Sequence, residues 1–426
     1  MRKSVFFFSL CIALSVHAVE RVSLDSLQTD WAAFTNKTVC ITTPLVVCGN
    51  FYDSLVLAPE RLFCPEERAT GLADGDSTMY EIIKSHNREA SVILHCRNQY
   101  YNVRTGDIVR GLKARVTGER QLLTGKSIRT KHLPKDRLPR ARKGELRIVG
   151  ANIENYFADL GGYAHKRTTP EQLAVKTKKL SSALCAMHAD IIACCEMQVG
   201  NKAPAMLIKT MNKSGGKYAF VTIPMENMDR IGGCFIYNTE RVRPYAAPLS
   251  AYQDTANHYY SRMFAVGFEE IASGEKLIIS VNHFKSKRPG RTQYDTNMRR
   301  MQNADSLLAM LPKAIKAFTD EDILLLGDYN CYTQEEPIQT IVRAGYADIL
   351  PHGRSENYSY SYKGETGYLD RCFATPSMAA QIVRVRPWHV NADWYYSHGA
   401  YKMKDKTKHR YADHDPIIVD VKLMNK

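Results

Sequence analysis

The sequence predicts an α/β (α+β) protein: a four-layer sandwich of two packed β-sheets flanked by helices, with a small all-β domain in front. Three observations predict it. Apolar runs of strand length recur along the chain, helical periodicity is confined to a few segments, and the composition changes near residue 140.

The chain begins Met1-Arg2-Lys3, continues with VFFFSLCIALSV and reaches Val16-His17-Ala18. A positive start, an apolar run too short to span a bilayer and small residues at its end describe a signal peptide over residues 1–18, cleaved after Ala18. The expected product is secreted, periplasmic or extracellular, with no transmembrane anchor. Removing Arg2 and Lys3 from a chain of net charge +14 leaves +12. That excess suits a polyanionic partner, because basic side chains displace counterions from phosphates, and it serves solubility equally well. Ten cysteines follow the leader; Cys40 with Cys48 and Cys64 with Cys96 are candidate pairs in an oxidising compartment, and no cysteine spacing matches a zinc site.

Residues 19–130 alternate short β-type runs with turns: TVCITTPLVVCG, SVILHC and DIVRGLKARVTGERQLLTG. In the last, Ile108, Val109, Val116, Leu122 and Leu123 keep strand spacing around Gly111, Gly118 and Gly125. This segment resembles the strand-turn-strand of an OB-fold, a module used for single-stranded nucleic acid. Residues 131–145, KHLPKDRLPRARKGE, combine proline and basic residues without apolar periodicity and read as a linker.

Residues 146–426 form the catalytic domain in this reading. LRIVGAN is a strand, EQLAVKTKKLSSALCAMH an amphipathic helix and DIIACCE a buried strand. GGCFIYN, FAVGFEE, KLIISVNHF, DILLLGD, DRCFAT and PIIVDV add strands, and residues 295–311 a second helix.

Chemistry concentrates where these apolar runs end. Residues two apart share a strand face, so Asp328 and Asn330 project together from DILLLGDYN and suit a metal and a phosphate oxygen. Asn152 ends LRIVGAN and Glu196 ends DIIACCE, supplying an amide and a second hard oxygen. His283 follows KLIISVN, and Asp229 in MDRIGGCFIYN is its candidate orienting carboxylate. Arg262, in SRMFAVGF, offers a two-point phosphate clamp. His414 has Asp370 of YLDRCF as the group that fixes its tautomer, which leaves Asp413 for the metal. An Asp-His pair alone reads as a surface turn; four such segments in one chain, ADHDP, HFKSK, GDYN and YLDRCF, argue against that and supply the inventory that phosphodiester cleavage needs.

The ordered set NIENYF, ACCEMQ, SVNHFKSK, LLGDYNCY, YLDRCF and ADHDP resembles the endonuclease/exonuclease/phosphatase superfamily over residues 146 to 421. The resemblance implies Mg2+ as cofactor, with Mn2+ as an alternative and Ca2+ as a structural ion. Residue by residue, it implies metal ligation by Glu196, Asn152, Asp413 and Asp328, substrate contacts from Arg262, Asn330 and Asn152, and catalysis by His283, His414, Asp370, Asp229, Asp328 and Asn330. Two features depart from the pattern. Ala412 stands where a serine is common, and a long insertion separates Arg386 from Ala412. That insertion interleaves Trp388, Trp394, Tyr395, Tyr396 and Tyr401 with Lys402, Lys404, Lys406 and Lys408, which suits a nucleic-acid strand or lipid headgroups.

The function expected is a secreted, Mg2+-dependent nuclease acting on DNA, and on RNA as a further substrate, through attack of a metal-associated water on phosphorus. No obligate protein partner is evident. A phosphodiesterase or phosphatase of lipids or inositol phosphates, like the sphingomyelinases, is the alternative; a binding protein that lost its chemistry is the third reading.

Overall fold

The computed structural model describes residues 19–51, 53–96, 103–161, 168–222, 230–251, 262–288, 293–350, 356–394 and 408–424, with the side chains of 293–295 left aside. The leader (1–18), Asp229, and Tyr395, Tyr396, Tyr401, Lys402, Lys404 and Lys406 of the insertion lie outside these residues.

The apolar runs become two mixed sheets. One has six strands in the order Tyr218–Thr222, Ile231–Asn238, Ile191–Gln198, Leu146–Tyr156, Ile417–Val421 and Ile382–Pro387. The other runs Val242–Pro244, Phe264–Glu270, Lys276–His283, Ile323–Asp328, Asp370–Ala374 and Ala347–Asp348, with Leu249–Ser250 paired to Phe264–Glu270. Alternate side chains of both sheets meet in one core, including Ile148, Ala193, Phe235, Phe264, Ile279, Leu324 and Val419. The opposite faces are covered by helices. Pro170–Met187 and Lys202–Lys213 pack on the first sheet, and Gln293–Phe318 and Glu336–Arg343 on the second. Four layers result, as expected.

Local chemistry explains the boundaries. Thr169 caps the helix Pro170–Met187 by accepting from the Gln172 N–H, while Gln172 Oε1 accepts from the Thr169 N–H and Pro170 fills the first turn. Helix Gln293–Phe318 runs further than the expected 295–311 at both ends.

The N-terminal region departs from an all-β reading. Nine strands form one sheet path, two of its pairings are parallel, and a 13-residue helix spans Thr78–Ala90. That run, TMYEIIKSHNREA, holds neither glycine nor proline and places Glu81 one turn before Lys84, which favours a helix. The ten cysteines among the described residues are all free. The strands carrying Cys40 and Cys48 are not neighbours in the sheet, and Cys64 packs with Tyr332 and Leu369 while Cys96 lies in the N-terminal core, so neither expected pair can close.

Residues 131–145 are pinned to the sandwich. Asp136 accepts from Arg386 and from the His389 N–H, and its carbonyl accepts from Trp388 Nε1. A third sheet ties the two regions together: Leu62–Phe63 pairs in parallel with Glu365–Gly367, which pairs with Tyr360–Tyr362. Among the described residues no helix is long and apolar enough to cross a membrane.

Candidate active site

Both central strands of the first sheet break their ladder where they approach the second sheet. The pairing of Leu146–Tyr156 with Ile191–Gln198 is irregular between Asn152 and Tyr156, and that of Ile191–Gln198 with Ile231–Asn238 between Cys194 and Met197. At these bulges Glu154, Asn155 and Glu196 take positive φ of 53°, 49° and 66°. Such conformations cost on the order of 1 kcal/mol or more for a residue with a Cβ, and they re-aim the side chains. Glu196 is thereby turned toward Asn152, whose Nδ2 donates to Glu196 Oε1 at 3.1 Å and to Asp328 Oδ2 at 3.2 Å.

In the second sheet, His283 lies directly opposite Asp328 on one side, and Asp370 lies opposite it on the other. Gly327, with φ 140°, is required there: a Cβ on it would lie 1.9 Å from the Asn282 carbonyl oxygen. Asp328 accepts from the Asn330 N–H at 2.8 Å and from Asn330 Nδ2 at 3.0 Å, which locks the carboxylate at the strand end. His283 Nε2 is 3.8 Å from Glu196 Oε1 and 3.9 Å from Asp328 Oδ2. Its Nδ1 is buried with no hydrogen-bond partner among the described residues.

His414 Nδ1 is 2.7 Å from Asp370 Oδ2. Donation of that N–H to Asp370 leaves Nε2 as the free nitrogen. The Tyr360 ring packs on the imidazole with centroids 4.6 Å apart, and Asn391 Nδ2 donates to the His414 carbonyl at 2.6 Å. Ligand atoms of Glu196, His283 and Asp328 lie within 4.8 Å of one another, as do those of Asp328, Asp370 and His414. Asp328 belongs to both triples and joins them into one site.

Charge in this pocket is unbalanced toward the negative. Burial pushes the Glu196 carboxyl up, with Asp413 adding repulsion; burial also pushes Asp328 up to about 7, with Asp370 and Glu196 adding to it against the pull of His414. Burial would lower His414, but Asp370, Asp328 and Asp413 together hold it well above the ordinary imidazole range. His283 moves the other way: burial, then Arg262, His414 and Lys285, keep it neutral well below its usual pKa. Burial opposes ionisation of Asp413, yet His414 and Arg410 outweigh it and keep it charged.

Of the ten residues expected, Asn152, Glu196, His283, Asp328, Asn330, Asp370 and His414 converge. Asp413 belongs to neither triple and acts on Glu196 and Glu154 through its charge. Arg262 lies close enough to act electrostatically on His283 and Lys285. Asn152 Oδ1 accepts from the Glu154 N–H at 2.9 Å, and its Nδ2 bridges the Glu196 and Asp328 carboxylates.

Three contributors went unread. Glu154 lies past Asn152 in the irregular stretch of the strand, where the period of two no longer assigns a face, and it is 3.9 Å from Lys176 Nζ. Lys176 sits among Leu173, Leu180 and Leu184 on the apolar stripe of its helix, where burial lowers its pKa to about 8. Tyr360 carries no local signal.

Hard oxygens and a neutral imidazole at this spacing suit a hard divalent cation. Excess buried carboxylate charge at Glu196 and Asp328 points the same way. The residues therefore fit such an ion.

No family model matches the sequence, and no curated protein matches it. Several solved structures are similar to it over about two thirds of its length. An endonuclease/exonuclease/phosphatase from Bacteroides vulgatus covers 66% of this chain and 100% of its own at 12% identity, with a TM-score of 0.46. TDP2 from D. rerio, humanised by 14 mutations, covers 65% and 99% at 15% identity and 0.45, and the catalytic domain of human Nocturnin with bound sulfate covers 66% and 95% at 17% and 0.43. At such identities the likeness is one of chain shape, and the chemistry must come from the residues.

Proposed function

We propose that the chain is a secreted, Mg2+-dependent nuclease that hydrolyses phosphodiester bonds of DNA, with RNA as a further substrate. The observation that carries this reading is the union of the Glu196–His283–Asp328 and Asp328–Asp370–His414 triples at one rim shared by both sheets.

Glu196 and Asp328 would hold the ion, with Asp413 adding charge nearby. Bound there, a divalent cation offsets the carboxylates that hold His414 protonated and draws charge from a phosphoryl oxygen. His414, fixed by Asp370, takes a proton at Nε2 from the attacking water. His283, neutral and with Nε2 directed at the same centre, hydrogen-bonds an oxygen of the phosphoryl group. Asn330 and Arg262 orient that group, and Asn152 keeps the two carboxylates apart. Such preorganised donors act where charge develops and need no reorganisation during the reaction.

The N-terminal sheet, with the strand-turn-strand that resembles an OB-fold, would guide a single strand toward the site. Incubation of the protein with circular plasmid, linear duplex, single strands and sphingomyelin, each with Mg2+ and with chelator, tests the reading. Cleavage of the nucleic acids only with Mg2+ is expected; release of phosphocholine with intact plasmid would replace it with the lipid reading.

A further inference from the structure

Next to His283 the chain collects basic side chains, and two of them, Lys287 and Arg300, share one carboxylate, Glu335. Lys285 leaves the strand end two residues after His283, its N–H donating to Asn303 Oδ1 at 2.9 Å and its Nζ to Ser286 Oγ at 3.2 Å. Asn303 lies on the helix Gln293–Phe318, whose Arg299 and Arg300 sit one turn earlier. Arg300 is only 2% exposed: one terminal nitrogen donates to Asn297 and lies 3.8 Å from Glu335 Oε1, but its Nε and other terminal nitrogen are buried without a hydrogen-bond partner among the described residues. Glu335 is already shared, its Oε2 lying 2.6 Å from Lys287 Nζ. Burial, then Arg262, Arg300, Arg299 and Arg288, lower the Lys285 ammonium, which places the four guanidiniums within reach of its charge.

Crowded like charges around a half-buried ammonium raise the energy of the site unless an anion offsets them. The Arg300 guanidinium keeps two buried nitrogens without a partner among the described residues, and a planar fork of this kind pairs with a phosphate. The reacting phosphoryl group is already served by His283, Asn330 and Arg262. We propose that Lys285, Arg299 and Arg300 form a subsite for a second phosphate of the same chain, so that the protein recognises a polyphosphodiester and not an isolated diester. This rests on the nuclease reading of the neighbouring site and adds the length of chain it requires.

Binding and turnover are measured separately. Fluorescein-labelled oligothymidylate is titrated by anisotropy with the full chain, wild type and Lys285→Ala/Arg299→Ala, across a range of salt. The double variant is expected to bind at least tenfold more weakly at low salt, with the log–log salt slope flattened by roughly 0.7 for each phosphate that is no longer neutralised. In turnover, the ratio of kcat/KM for the oligonucleotide to that for bis(p-nitrophenyl) phosphate falls at least tenfold, through KM. An unchanged salt slope, or equal losses on both substrates, overturns the subsite. Arg299→Gln alone, on a half-exposed helix position, gives a smaller shift in the same direction and guards against misfolding of the double variant. If the wild type hydrolyses neither substrate, the nuclease reading fails, while the anisotropy slopes still decide the subsite.

Discussion

Glu67, on the short N-terminal helix Pro65–Arg68, lies 3.9 Å from Arg371, the residue that follows Asp370 in the active-site strand. Arg371 is fully buried, donating to Asp348 Oδ2 at 2.6 Å, Thr333 Oγ1 at 3.1 Å and the Cys331 carbonyl at 3.3 Å. Thr333 Oγ1 in turn donates to Glu67, and the Tyr368 N–H reaches Glu67 Oε2 at 3.4 Å. The N-terminal region therefore supplies a buried carboxyl group to the strand that carries Asp370.

Burial pushes the Glu67 carboxyl up to about 7 in spite of Arg371 and Thr333. Glu67→Ala leaves Arg371 short of a partner and should cost about 3 kcal/mol, the lower end for breaking a buried pair. Glu67→Gln keeps an acceptor for Thr333 and is expected to cost less than half as much below pH 7. Urea unfolding of the two variants side by side measures this; equal costs would show that Glu67 contributes packing alone.

The Asp370–His414 pair leads to a kinetic expectation. Asp370→Asn presents its amide or its oxygen to Nδ1 and no longer imposes one tautomer, while the loss of its charge lowers the His414 pKa. His414→Ala removes the proton acceptor altogether. Turnover of a diester substrate should fall by roughly 10²–10⁴-fold in each, with unaltered circular dichroism. Near wild-type turnover by His414→Ala would refute its role as base.

How much of this was legible depended on the distance over which each cause acts. Buried strands announce themselves as apolar runs, so the strands ending at His283 and Asp328 were readable, as was the one carrying Asn152, although it runs on to Tyr156 instead of ending at Asn152; the partnership of Asp370 with His414 was readable through their motifs. Glu196 was placed at a strand end, but the positive φ and bulge that turn it into the site arise from packing between sheets and leave no mark in DIIACCE. Glu67 meets its partners in the catalytic domain across long stretches of chain, 301 positions in the case of Tyr368, and no local pattern encodes such a meeting. Tyr360 is hidden for the same reason: its hairpin is placed by Leu62–Phe63.

Tyr360 yields a prediction of its own. Its ring covers one face of His414, and its neighbour Ser359 accepts from the Leu369 and Asp370 N–H groups at 3.1 Å each, so the hairpin braces both members of the pair. Tyr360→Ala should lower kcat by about tenfold, the order of effect of a small misplacement of a catalytic group, with little change in KM. Tyr360→Phe should retain nearly full activity. A loss in the Phe variant equal to that in the Ala variant would mean that the hydroxyl, and not the ring, matters.

Asp328 is the most direct test of the ion. Its folded pKa of about 7 lies above the ordinary carboxyl value of 3.8, so its contribution to stability is fully present below pH 3.8 and is lost as the pH rises through 7. Without metal, then, the charged Asp328 destabilises the fold at pH 8, and Asp328→Asn should melt higher than the wild type there while the two converge near pH 4. His283 does not cancel this difference: its depressed pKa costs stability only as the pH falls below 6.5, and both proteins carry it. Adding Mg2+ stabilises whichever form binds it, so the wild-type melting temperature should rise and the order reverse at pH 8, with a gain that shrinks as the pH drops below 7. Thermal melts of both proteins at pH 4, 6 and 8, in chelator and in Mg2+, give the full comparison. A wild type whose melting temperature ignores Mg2+ at pH 8 would remove the ion from between Glu196 and Asp328.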